Sequence, residues 1–94
     1  MTIGKIRHKG LRRLYMDDDA RGLPAASIGK IRDILGALEA AANLSQLATL
    51  PGWRLHALKG DRRGEYAITV TANWRIVFRV AEGIVTDISY EDYH

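Results

Sequence analysis

The sequence predicts an α+β domain: two N-terminal helices packed on an antiparallel sheet of four to five strands. Three observations predict it. The spacing of apolar residues changes near residue 50, from helical before to alternating after. The later segments are joined by connections short enough for hairpins. And 94 residues with 47% hydrophobic content suffice for one core, so domain boundaries at 1 and 94 are expected with no internal linker or repeat.

In the first half Leu11, Leu14 and Tyr15 recur at helical spacing until Asp17-Asp18-Asp19 and Gly22 break the pattern. A longer helix is expected to start close to Pro24, a residue tolerated in a first turn. Its buried face is Ile28, Ile31, Leu35 and Leu38, with Lys30, Arg32 and Glu39 mostly off it. Ala40-Ala41-Ala42 can continue this helix and Asn43 is expected to end it. Gly29 and Gly36 each cost about 1 kcal/mol relative to alanine, so packing must hold it. In the second half Trp74, Ile76, Phe78 and Val80 alternate with Arg75, Val77 and Arg79, the period of a strand with one buried face. Tyr66, Ile68 and Val70 do the same, and Trp53–Leu58 and Ile84–Tyr90 are the flanking candidates. The turns are GDRRG at 60–64, Thr71-Ala72 with Asn73, and Glu82-Gly83. Thr2–Arg7 is expected to add a fifth strand at an edge.

Composition excludes several classes. With no cysteine there is no disulfide framework, thiolate zinc site or thiol nucleophile. No apolar run approaches the ~20 residues of a membrane helix, and the start of the chain lacks the apolar stretch of a secretory signal, so a cytoplasmic protein is expected. The net charge of +3 is unevenly spread. Residues 1–16 hold five bases and no acid, residues 52–79 hold six bases against two acids, and the last fifteen residues hold four acids and no base. Such a surface suits a phosphate backbone, although solvated element faces give the same pattern.

Alternation places Arg75 and Arg79 opposite the buried Trp74, Ile76 and Phe78, and His56 opposite Trp53 and Leu55. Lys59 stands at the entry to the GDRRG turn, and Asp92, Tyr93 and His94 follow the last strand. Pairing of strands 84–90 and 74–80 would bring this tail within reach of Arg75, since paired strands lie ~5 Å apart. Each residue also has a plain reading: a solvent-facing strand arginine, a half-exposed strand histidine, an edge aromatic, a frayed end. Asp17-Asp18-Asp19 lacks the alternating ligands and glycine of a calcium loop, and His8, His56 and His94 lack paired-ligand spacing, so no metal is expected.

Taken together, LHALKGDRRGEY, ANWRIVF and the final YEDYH resemble the HigB group of RelE-type bacterial toxins, and RHKGLRRLY near the start does so too. The sequence departs from that family at Thr71-Ala72, where a glycine-containing turn is frequent, and at Ile6, where an aromatic is usual. The resemblance implies a RelE-like microbial RNase fold without a cofactor, and an mRNA endonuclease acting on translating ribosomes. It further implies neutralisation by a HigA-type helix-turn-helix antitoxin in a hetero-oligomer, the toxin alone being a monomer. It makes His56, Lys59, Arg75, Asp92, Tyr93 and His94 the active-site residues. Arg7, Lys9, Arg12, Arg13, Arg54, Arg62, Arg63 and Arg79 become expected RNA or ribosome contacts.

The chemistry fits a metal-free cleavage in which the substrate's 2′-OH is the nucleophile. Arginine suits the phosphorane charge because its planar fork holds two oxygens at once. Histidine or Asp92 is a better base than Tyr93, whose phenol starts near pKa 10; the individual acid and base stay open. Two other readings compete: a non-catalytic RNA- or ribosome-binding module, and a protein whose basic face only docks an acidic antitoxin segment.

Overall fold

The alternating segment at 74–80 forms β4 (Trp74–Ala81), the middle strand of a five-stranded sheet, in a computed structural model that describes residues 1–93. The other strands are β1 (Thr2–Ile3), β2 (His56–Ala57), β3 (Glu65–Thr69) and β5 (Ile84–Asp92), in the order β1-β5-β4-β3-β2. Helices α1 (Lys9–Asp17), α2 (Ile28–Ala40) and α3 (Leu44–Leu47) cover one face. Leu11, Leu14, Ile31, Ile34, Leu38 and Leu47 from the helices meet Ile68, Ile76, Phe78, Val85 and Ile88 from the sheet in a single core. No helix among the described residues is long and apolar enough to cross a membrane.

Four differences from the expected elements have local causes. The sheet is mixed rather than antiparallel: β1 is the expected edge strand but runs parallel to β5, pairing Thr2 with Ile84 and Ile3 with Val85, and Ile6 bridges Ile88 in the same sense. The segment 53–58 yields only the two residues of β2, because Arg54 takes a left-handed backbone (φ 50°) that interrupts the alternation. Pro24 does not start α2; it precedes a 3-10 turn, Ala25–Ser27, that leads into it. Asn43 is a start signal rather than a stop: its side chain accepts from the Gln46 N–H at 3.2 Å and caps α3, while α2 ends at the extended Ala41. The acidic run does end α1, with Asp18 left-handed (φ 55°) and its N–H bonded to Leu14 O at 3.1 Å. Asp18 then pairs with Arg32 and Asp19 with Arg21, so the run belongs to a solvated helix end.

Helix α1 starts on a histidine cap. His8 Nδ1 accepts from the Leu11 N–H at 3.2 Å, and its ring meets Tyr90 edge-on at 5.7 Å. The accepting nitrogen must be unprotonated, and burial holds the imidazole below its ordinary 6.5. The unfolded chain therefore binds the proton more readily than the folded one. The cap's contribution is complete above pH 6.5 and declines as pH falls below it. His8→Ala is expected to cost about 1 kcal/mol at pH 8 and less at pH 5, as chemical denaturation at the two pH values would measure.

In the 71–73 turn the Thr71 hydroxyl accepts from the N–H groups of Asn73 and Trp74 at 3.3 and 3.2 Å, a side-chain bond that closes the hairpin without glycine. Glycine is required at 64, where φ is +98° and a Cβ would stand 2.8 Å from Arg79 Nη1. Between Val77 and Arg79 the β4–β5 ladder carries a bulge, with Asp87 left-handed (φ 52°). The bulge keeps both Phe78 and Ile88 in the core and leaves Asp87 3.9 Å from Arg79.

Candidate active site

Register fixes what the uncovered face of the sheet presents. Arg75 lies between Thr69 on β3 and Glu91 on β5. Two residues along, Val77 lies between Ala67 and Ser89, and beyond Ala67 the row reaches His56 on β2. At the far end Glu65 pairs with Arg79. His56 and Arg75 thus share a face at a Cα separation of roughly 12 Å, two strand spacings across and two residues along.

The guanidinium of Arg75 rests on the Tyr93 ring, 4.9 Å from its centroid, and only 15% of the side chain is exposed. Tyr93 is tied down at both ends: its N–H donates to Asn73 O at 2.9 Å, and its hydroxyl shares a 2.8 Å hydrogen bond with Thr69 Oγ1. Arg75 Nη2 stands 3.9 Å from Glu91 Oε1, within ion-pair range but beyond hydrogen-bond length. Its Nε–H is buried and has no hydrogen-bond partner among the described residues. The arrangement is a desolvated, oriented cation with donor capacity to spare.

Glu91 has a closer partner. Arg62, from the 3-10 turn Gly60–Arg62, donates to Glu91 Oε1 and Oε2 at 2.6 and 2.8 Å, and through Nε to Glu65 Oε2 at 2.5 Å. Its guanidinium therefore passes over β4 from β3 to β5. This polar roof accounts for Val77 and Ala67, which are fully buried on a face that carries no helix. The Arg62 hydrogen bonds hold the Glu91 carboxyl below its ordinary range, with Arg75 and Ser89 adding to the effect against desolvation. The Arg62–Glu91 pair is thus charged at neutral pH. It stabilises the fold above the ordinary carboxylate range and is lost only as pH falls through the lowered value.

The sequence-derived candidates divide on this geometry. Arg75, Tyr93 and His56 share the open face, and His56 Nδ1 lies 2.9 Å from Arg54 O. Lys59 is exposed at the start of the Gly60–Arg62 turn. Asp92 pairs in register with Trp74, which places it in the row of the helix-covered face, at the end of the sheet, one step out of phase with Arg75. His94 lies outside the described residues. Among the basic candidates, Arg62 and Arg79 are engaged with carboxylates, and Arg54 and Arg63 are exposed. Arg7, Lys9, Arg12 and Arg13 are exposed around α1, on the helix-bearing side. Glu91, Glu65 and Thr69 went unread in the sequence. Ending the predicted strand at Tyr90 hid Glu91; continuing the alternation two residues further puts Glu91 beside Arg75.

Residues 4–94 match the family model of the RelE-like toxin of the type II toxin–antitoxin system HigB. Over 92 residues the chain is 41% identical to an Endoribonuclease HigB of Proteus vulgaris, covering 98% of this chain and 99% of that protein. Over 91 residues it is 31% identical to a Toxin HigB-1 of Vibrio cholerae, covering 96% and 95%. Among solved structures, a YoeB/ParE toxin from Agrobacterium tumefaciens covers 100% of both chains at TM-score 0.62 and 20% identity. YafQ from E. coli covers 97% of this chain and 91% of its own at TM-score 0.59 and 12% identity. At such identities the structural likeness is one of fold.

Proposed function

The chain belongs to the HigB-like, RelE-type toxins of type II toxin–antitoxin systems, and from that premise we propose that it is a ribosome-dependent, metal-free mRNA endoribonuclease, neutralised in the cytoplasm by a HigA-type helix-turn-helix antitoxin. The endoribonuclease activity named for the Proteus vulgaris relative supports the nuclease reading. The observation that carries it is Arg75: a guanidinium stacked on Tyr93, oriented by the sheet, with a buried Nε–H free of any hydrogen bond among the described residues.

In this reading the 2′-oxygen of a ribose attacks the adjacent phosphorus and the P–O5′ bond breaks. A base on the protein takes the 2′-OH proton and an acid returns one to the 5′-oxygen, leaving a 2′,3′-cyclic phosphate and a 5′-OH. Arg75 holds two oxygens of the phosphorane, whose extra charge it meets already desolvated. Tyr93 keeps the guanidinium in plane and Thr69 keeps Tyr93 in place. His56, on the same open face roughly 12 Å from Arg75 between Cα atoms, is assigned to proton transfer in this reading, and the exposed Lys59 to added positive charge. The resemblance adds Asp92 and His94 to the set, Asp92 standing at the sheet end one step out of phase with Arg75. The ribosome supplies the orientation of the substrate that so open a face does not. Arg7, Lys9, Arg12, Arg13, Arg54 and Arg63 are the proposed ribosomal RNA contacts.

Primer extension on an mRNA in a translating extract tests the reading. New 5′ ends are expected with the wild-type protein, and none on the same RNA without ribosomes. Arrest of translation with the message intact would replace the nuclease with a binding module.

A further inference from the structure

Glu91 stands directly opposite Arg75 on adjacent antiparallel strands, the arrangement in which opposite charges ordinarily pair. They do not close: the approach stays at 3.9 Å because both carboxylate oxygens are taken by Arg62, at 2.6 and 2.8 Å. Arg62 is itself anchored by Glu65, whose side chain is 9% exposed, and by the turn that carries it. Arg75 is left with an aromatic ring, the long approach to Glu91 and an Nε–H without a hydrogen bond among the described residues.

We infer that Arg62 is a positioning residue: by holding Glu91 on itself it keeps that carboxylate from closing a hydrogen-bonded pair with Arg75, whose donors then remain available to the scissile phosphate. The inference rests on the nuclease reading for its consequence, but the geometry of the three side chains stands apart from it. It also reassigns Arg62, whose place in a basic turn suggested an RNA contact. A guanidinium with charge-assisted bonds to two carboxylates has little left for a phosphate. Remove it, and the nearest cation to Glu91 is Arg75. An incoming phosphate must then compete with a carboxylate already in place.

The test is a rescue. Arg62→Ala is expected to lower the cleavage rate in a translating extract by about 10-fold, less than the ~10²–10³-fold of losing an oriented donor outright, since Arg75 stays but must be freed from Glu91. Adding Glu91→Gln to that protein is expected to regain most of the loss, since a neutral amide does not hold Arg75. If Arg62 touched RNA, or only shaped its turn, the double variant would stay as slow as the single one, and the inference would fall. Arg62→Lys guards against a folding defect: one ammonium cannot grip both Glu91 oxygens, so it should show a smaller loss with the same rescue. A nuclear magnetic resonance arm does not depend on cleavage. The Arg75 Nε–H signal should move in Arg62→Ala and return in the double variant. An unmoved signal overturns the inference even if the wild type cleaves, whereas a wild type that does not cleave overturns only the nuclease reading.

Discussion

Arg75→Ala is expected to abolish new 5′ ends in the translating extract, a fall of at least ~10²-fold, with the melting temperature almost unchanged. The two halves of that result share one cause. The Nε–H of Arg75 is buried without a partner among the described residues, so deleting the side chain removes a desolvation cost along with its contact to Tyr93. The lost cation–π contact, in this desolvated setting, is worth about 2 kcal/mol, within the ~1–3 kcal/mol that the relieved donor returns. A group held this way contributes little to the fold and is poised for an anion. Arg75→Lys should not restore activity, because a single ammonium has no planar fork to stack on the ring and hold two phosphorane oxygens at once. A protein still cutting at the wild-type rate after either change would remove Arg75 from the mechanism.

Phe78→Ala is expected to do the reverse, destabilising the protein by about 3–5 kcal/mol through the cavity it leaves. Phe78 is fully buried between the helices and the sheet, with its ring 6.1 Å from that of Tyr66. Domains of this size unfold with ~5–15 kcal/mol in total, and each kcal/mol moves the melting point by about 4–8 °C. The measurement is a thermal melt followed by circular dichroism. A shift below a few degrees would mean that the centre of the core lies elsewhere. Trp74 is the weaker probe: it is half-buried at the sheet end, stacked on Tyr90 at 4.7 Å.

The two substitutions sit three residues apart on one strand, and the sequence already separates them. The strict alternation Trp74, Ile76, Phe78 against Arg75, Arg79 needs only a period of two to assign faces. Pairing of β4 with β5, rather than alternation, brings Tyr93 of the tail to Arg75, and His56 reaches the open face through its register with Ala67. What escaped was set by single residues against the local pattern. Arg54 enters the left-handed region, Asn43 caps forward rather than stopping, and Asp87 inserts a bulge. The Asn43 cap is local, a bond from the Gln46 N–H three residues on that competes with the stop reading. The left-handed backbones of Arg54 and Asp87, by contrast, leave no mark in a period of two. The Arg62–Glu91 pair joins residues 29 positions apart, and turn composition read alone offers only a basic patch. The parallel sense of β1 was equally hidden, because a two-residue edge strand carries no periodicity.

That parallel edge has a consequence for assembly. Strands β3, β4 and β5 form a meander whose loops are a few residues each, while joining β1 to β5 closes a loop of more than eighty residues. Closing the longer loop costs roughly 2–3 kcal/mol more in chain entropy, so the meander is expected to form first and the amino-terminal edge to dock after it. On local opening such an edge, held to β5 by a two-residue ladder and the Ile6–Ile88 bridge, is expected to separate before the meander does. With β1 detached, the outer rim of β5 bares a row of unsatisfied peptide groups, a template on which another extended chain can add itself.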